Sequence, residues 1–131
     1  MVILVNLPLS HHLALSAYDR RRIADMEGFT KKTLNTSRGL QYTYWVQSST
    51  EKKVALLLQH GFPDDHDLWI NILPYLIPLG HPIIVPDLLG YGETAKPSDA
   101  KEYNIKSLSN DLMDILDREG YQHAISIGHD W

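Results

Sequence analysis

A chain of 131 residues with 44% hydrophobic and 21% charged side chains has the length and balance of one globular domain. A net charge of −4 offers no basic face to nucleic acid or anionic lipid, and the absence of cysteine excludes a disulfide framework, a thiol nucleophile and a Cys-based metal site. No run approaches the ~20 apolar residues of a membrane span. Residues 1–5 lack the basic start of a secretory signal, so the expected address is cytoplasmic.

Residues 1–28 read as an N-terminal extension, with a solvated charged run at Asp19-Arg20-Arg21-Arg22. From Phe29 the character changes. Two β-prone runs, 30–36 and 40–46, flank a Ser37-Arg38-Gly39 turn, which is a hairpin signal. Asn35-Thr36-Ser37 is a formal glycosylation sequon, read as chance in a chain without a convincing signal. Residues 54–58 form an unbroken apolar run, as expected of a strand buried on both faces of a parallel sheet. Trp69, Ile72, Leu73 and Leu76 follow at helical spacing, with Pro74 restarting a short helix. Residues 82–87 give a second buried strand, and a Gly/Pro-rich loop runs from Leu88 to Tyr103.

Ile105, Leu108, Leu112, Ile115 and Leu116 then trace an amphipathic helix, with Asn104 or Ser107 as its cap and Gly120 as its stop. Residues 124–127 form the last strand. A hairpin followed by β-α-β-α-β predicts an α/β fold, in which the antiparallel hairpin feeds parallel strands covered by helices.

That last strand runs into Gly128-His129-Asp130-Trp131. A side chain on a sharp turn at a strand's carboxyl end is how an α/β-hydrolase presents its nucleophile, in the pattern small-x-nucleophile-x-small. Four of the five positions are present, and the fifth would follow Trp131. Far upstream, His60-Gly61-Phe62-Pro63 sits directly after the 54–58 strand. Alone it is a strand-closing turn. Paired with the elbow, it reads as the loop whose backbone N–H at Phe62 joins that of Trp131 in an oxyanion hole. Gly61 lets the backbone approach closely and Pro63 fixes the bend, while His60, Gly128 and His129 support the two loops.

A carboxylate nucleophile narrows the reaction. Attack on an acyl carbon would give an anhydride, whereas attack on an sp³ carbon gives an alkyl ester that can later be hydrolysed. Asp130 therefore suits epoxide opening or haloalkane displacement.

His60-Gly61-Phe62-Pro63, Pro86-Asp87-Leu88-Leu89-Gly90-Tyr91-Gly92 and Gly128-His129-Asp130-Trp131 occur in the order and spacing of soluble epoxide hydrolases, within the α/β-hydrolase superfamily. From about Phe29 onward the chain resembles the N-terminal part of that fold: residues 29–131 would be an incomplete core without the cap or the last strands. The resemblance implies a small apolar epoxide as substrate, opened by backside attack of Asp130 and released as a diol by water that a His activates. That His, its acidic partner and the cap tyrosines are expected beyond Trp131, so no base or proton donor is assigned here. Dehalogenases resembling this fold often carry Asn where Phe62 stands, which favours the epoxide.

Gly90-Tyr91-Gly92-Glu93-Thr94-Ala95 fits a dinucleotide fingerprint, but Lys96-Pro97-Ser98-Asp99 continues the loop where a helix must begin, so no nucleotide cofactor is expected. The seven histidines lack metal-ligand spacing, and no metal is expected; His11, His12, His66, His81 and His123 read as surface or turn residues. Asp64, Asp65 and Asp67 read as helix-start residues. A haloalkane dehalogenase-like hydrolase is the alternative enzyme. A non-catalytic fragment, either a shortened product that binds a partner or the product of an incomplete gene model, is the alternative class. Two further expectations are that the final strand shows an open apolar edge and that the chain alone does not turn over.

Overall fold

The computed structural model describes residues 2–4 and 26–130. Among the described residues six strands form one sheet: β1 (Val2–Leu4), β2 (Thr30–Asn35), β3 (Gln41–Gln47), β4 (Ala55–Gln59), β5 (Ile83–Pro86) and β6 (Ala124–Gly128), in spatial order β1-β6-β4-β5-β3-β2. β2 and β3 make the expected antiparallel hairpin, from Thr30↔Val46 to Asn35↔Gln41. β3 runs antiparallel to β5, while β4 is parallel to both β5 and β6. The β1 strand lies parallel to β6, with Val2↔Ser126 and Leu4↔Gly128 as partners. This corrects the expectation of an open edge at the final strand, because three residues of the N-terminal segment take up that position.

The two helices lie on opposite faces because the chain reverses direction across the sheet. Helix α1 (Leu73–Leu76), with Pro74 in its first turn and a 3₁₀ turn at Ile77–Leu79, carries the chain from β4 to β5. Helix α2 (Ile105–Glu119) carries it back past β4 to β6. Two crossovers of the same hand in opposite directions must cover opposite faces. Alternate strand residues supply the two cores accordingly. Leu56, Leu58, Ile83 and Val85 pack with Trp45, Trp69, Leu73 and Met26 on the α1 side. Tyr42, Tyr44, Ala55, Leu57 and Ile84 pack with Leu112, Ile115 and Leu116 on the α2 side.

Helix α2 begins and ends as its sequence predicts. The Asn104 side chain accepts the Ser107 N–H at 3.0 Å, and Gly120 closes the helix at φ 81°, where a Cβ would be strained. Its polar anchoring was not foreseen. Asp111 is wholly buried and accepts bonds from Arg38 Nε at 2.9 Å, Arg38 Nη2 at 2.5 Å and the Tyr42 hydroxyl at 2.9 Å. Arg38 also reaches Glu102 at 2.6 Å, while Ser37 donates to Asp114 and both Lys32 and Tyr44 donate to Glu119. The hairpin is thus bolted to α2 by a ladder of charge-assisted bonds. Burial first, and the Asp111 carboxylate second, push the Tyr42 hydroxyl far above its ordinary pKa.

Candidate active site

In open α/β sheets, ligands bind at the carboxyl ends of strands where the connections diverge to opposite faces. Here that place lies between β4, which leads to α1, and its neighbour β6, which is reached from α2. Their ladder pairs Gln59 with Gly128, and the His129 N–H extends it to the Gln59 carbonyl at 3.0 Å. His60 and Asp130 therefore leave the sheet side by side.

Asp130 is exposed and adopts φ 60°, in the left-handed region. That conformation costs an ordinary residue about 1–2 kcal/mol, although Asp tolerates it better than most. A left-handed residue two positions past the end of β6 turns the chain sharply as it leaves the sheet. The His60–Pro63 loop closes over this turn. A Cβ at Gly61 would lie 2.4 Å from Asp130 Cβ, 2.6 Å from the His129 carbonyl oxygen and 3.1 Å from Asp130 Oδ2. Only glycine permits this approach. The Phe62–Pro63 peptide is cis, the Asp64 N–H closes the turn onto the Gly61 carbonyl at 3.0 Å, and Phe62 is 70% exposed.

His60 is buried and holds this loop from behind. Its Nε2 accepts the Leu88 N–H at 2.9 Å, so in the neutral ring Nδ1 carries the proton and donates to the Gly61 carbonyl at 3.0 Å. Tyr91 packs edge-on against the ring at 5.2 Å. Because the C=O and N–H of one peptide point in opposite directions, holding the Gly61 carbonyl also aims the Phe62 N–H. Trp131, the expected second donor, lies outside the described residues, as do His11 and His12. Gly128 occupies open space, with nothing within 4 Å of a Cβ built on it.

The family follows from this region. Residues 54–131 match the family model for the alpha/beta hydrolase fold. The chain belongs to that family. Among curated relatives, this α/β-hydrolase chain is 37% identical over 77 residues to epoxide hydrolase A of Mycobacterium tuberculosis (strain ATCC 25618 / H37Rv), covering 59% of this chain and 24% of that protein. It is 36% identical over 77 residues to bifunctional epoxide hydrolase 2 of Sus scrofa, covering 59% of this chain and 14% of that protein. Among solved structures, epoxide hydrolase A from Mycobacterium thermoresistibile superposes with a TM-score of 0.71 at 31% identity, over 79% of this chain and 32% of that one. An epoxide hydrolase of Vigna radiata gives a TM-score of 0.71 at 27% identity, over 81% and 32%. The chain therefore spans about a quarter or less of the curated relatives' length and about a third of the structural ones.

Other expected features fall elsewhere. The Gly90–Ala95 run is a loop, and the next α-helix does not start until Ile105. Asp65 caps a 3₁₀ turn at His66–Trp69 by accepting the Asp67 N–H at 3.0 Å, as a helix-start residue would. Asp65, His66 and Asp67 bring one ligand-type atom each within 4.8 Å of one another, but Asp65 is engaged as the cap and His66 by Asp87.

His66 lies on a turn, as expected, but it is more than a turn residue: it stacks on Trp45 with centroids 3.6 Å apart and ring planes 19° from parallel. Its backbone N–H and Nδ1 both reach Asp87 Oδ1, at 3.0 and 2.8 Å. Asp87 is wholly buried, and its other oxygen accepts the Glu93 N–H at 2.9 Å. Nothing local in the sequence marks this pair, whose members are separated by the whole of α1 and β5.

A cleft of about 340 Å³ opens beside the site, with walls that include Gly61, Phe62, Leu88, Tyr91, Tyr103 and Leu108. It is mainly apolar, and Asp130 is not among its walls.

Proposed function

We propose that this α/β-hydrolase chain carries the nucleophile half of an epoxide-hydrolase site, with Asp130 as the attacking carboxylate and a small apolar epoxide as substrate. One observation supports this above the rest: Asp130 stands on a left-handed turn pressed against Gly61, the geometry of a presented nucleophile. The similarity to proteins named epoxide hydrolases supports the choice of reaction. On this reading residues 29–131 are a portion of the hydrolase core, residues 1–28 precede it and lend it the edge strand Val2–Leu4 and the buried side chain of Met26, and the compartment is cytoplasmic. Among the described residues, no helix is long and apolar enough to cross a membrane.

The chemistry runs in two halves. An Asp130 oxygen attacks a ring carbon from behind, the carbon–oxygen bond of the epoxide breaks, and the released alkoxide takes up a proton, leaving an alkyl ester on Asp130. Water then adds to the ester carbonyl carbon. The negative oxygen formed there is where the Phe62 and Trp131 N–H groups would act, and collapse returns the Asp130 carboxylate and a 1,2-diol. Phe62 has no side-chain donor for a departing halide, so the epoxide is preferred over a haloalkane. No residue among these 131 is assigned as the base for the second half, so the chain alone is expected to form the ester without repeated turnover.

The test is mass spectrometry of the Asp130-containing peptide after incubation with a small aryl epoxide. One substrate mass should appear on Asp130, it should be absent in Asp130→Asn, and diol should not accumulate over many equivalents. An unmodified Asp130 under conditions that label other carboxylates would overturn the reading.

A further inference from the structure

The loop that carries Gly61 and Phe62 is held to the loop after β5 by two histidines. His60 reaches Leu88, as described, and neither the fold nor the proposed chemistry explains the elaborate setting of His66. Its acceptor is an immobile anion. The Asp87 backbone N–H donates to the Thr43 carbonyl at 3.0 Å, its carbonyl accepts the Thr94 hydroxyl at 2.7 Å, and Gly92 packs so tightly that a Cβ would come within 2.0 Å of Asp87 Oδ2. His66 is therefore the partner that can change.

The charges around the ring favour its doubly protonated form. Nδ1 bonds to Asp87 Oδ1 at 2.8 Å, and an ionised carboxylate only accepts, so Nδ1 carries hydrogen. Nε2 lies 3.4 Å from Asp67 Oδ1, an ion-pair distance without a hydrogen bond, and a proton on it makes the bond to Asp87 charge-assisted. The Trp45 face beneath the ring favours a cation as well. Other charges nearby are Asp65 on the same turn and, across Trp45, Lys31, whose Nζ lies 5.4 Å from that ring and is itself paired with Glu93 at 2.6 Å.

We propose that His66 is a positioning residue: as an imidazolium it clasps the Phe62-bearing loop to Asp87, and loss of its proton loosens that loop. The link to an oxyanion hole rests on the reading of Asp130 and Phe62 given above, while the clasp itself does not. Burial opposes the charge on His66, but the hydrogen bond and charge of Asp87, with Asp67 and Asp65, outweigh it and hold its pKa above the ordinary value. Burial likewise opposes ionisation of Asp87, and its bonds from His66 and Glu93 outweigh that and hold its pKa below the usual carboxylate range.

The experiment is an NMR titration of the full 131-residue chain, following the His66 ring and the amides of Phe62, Asp64 and Asp65. The ring should titrate above the ~6.5 of a free histidine, and the Phe62 and Asp64 amides should shift with the same midpoint. His66→Gln keeps a donor toward Asp87 but no titratable charge, so it should abolish that common step. If His66→Gln does not fold, Asp67→Asn removes only an exposed carboxylate, and it should lower the ring midpoint with the loop amides still following. A ring midpoint at or below 6.5, or loop amides that ignore it, overturns the clasp. The clasp is read in resonances and the proposed chemistry in adduct mass, so either can fail alone.

Discussion

Replacing Gly61 with Ala tests whether the upstream loop and the elbow form one unit. The added Cβ would sit 2.4 Å from Asp130 Cβ, against an ordinary carbon–carbon contact of about 3.5 Å, so about 1 Å of separation must be found. Neither neighbour can swing away. One is the first atom of a side chain whose backbone sets its position. The other is the His129 carbonyl oxygen, on a residue whose N–H is tied to Gln59. Overpacking of this kind costs about 1–3 kcal/mol, partly offset by the ~0.4–1 kcal/mol gained from a stiffer unfolded chain. A net loss of about 1–2 kcal/mol should lower the urea midpoint by roughly 1 M at the usual slopes.

Gly128→Ala is the matched control, because its Cβ would meet nothing within 4 Å, and it should leave the midpoint unchanged or raise it slightly. A displacement of about 1 Å at reacting atoms typically lowers rates about 10²-fold. Formation of the Asp130 adduct should accordingly fall much further than stability does. If Gly61→Ala melts with the parent chain, or Gly128→Ala melts below it, the close approach of the two loops is refuted.

Two further outcomes follow from the polar interior. Asp111→Ala leaves the buried Tyr42 hydroxyl without its carboxylate acceptor and Arg38 with Glu102 alone, and should cost about 2–3 kcal/mol by urea denaturation. The triple substitution Arg38→Met, Tyr42→Phe and Asp111→Leu, which removes every partner of the buried carboxylate together, should recover most of that loss, and a single-site cost below about 1 kcal/mol would show that the ladder is dispensable. Stability should also depend on pH through the His66–Asp87 pair. A raised histidine contributes fully below the unfolded value of 6.5 and loses its contribution as pH rises through the folded one. A lowered aspartate contributes fully above 3.8 and loses its contribution as pH falls through the folded one. Both contributions are complete between about pH 4 and 6.5. Urea midpoints measured from pH 3 to 9 should decline above that window, and His66→Gln should flatten the decline.

The strands from β2 to β6, the capped helix and the two loops at the strand ends were legible in the chain itself, whereas β1, three residues within what reads as an extension, was not. Periodicity reports which face of an element meets the core, and Asn104 and Gly120 punctuate α2 through bonds made within a few residues. The 3₁₀ turns at His66–Trp69 and Ala100–Tyr103 were missed, since four residues are too few to show a period. Asp111 left a trace that could have been followed. It shares helical spacing with Leu108, Leu112 and Ile115, so a charge on the buried face required a partner, but nothing local named Arg38.

Local sequence, acting through backbone preference and hydrophobic patterning, determined which segments became strands and helices and where the turns carrying Gly61 and Asp130 would fall. Only the tertiary structure decided that those turns touch, that the first three described residues lie along β6, and that His66 faces Asp87. Contacts between residues far apart in the chain depend on how the sheet is ordered, and that order is set by all the buried surfaces together.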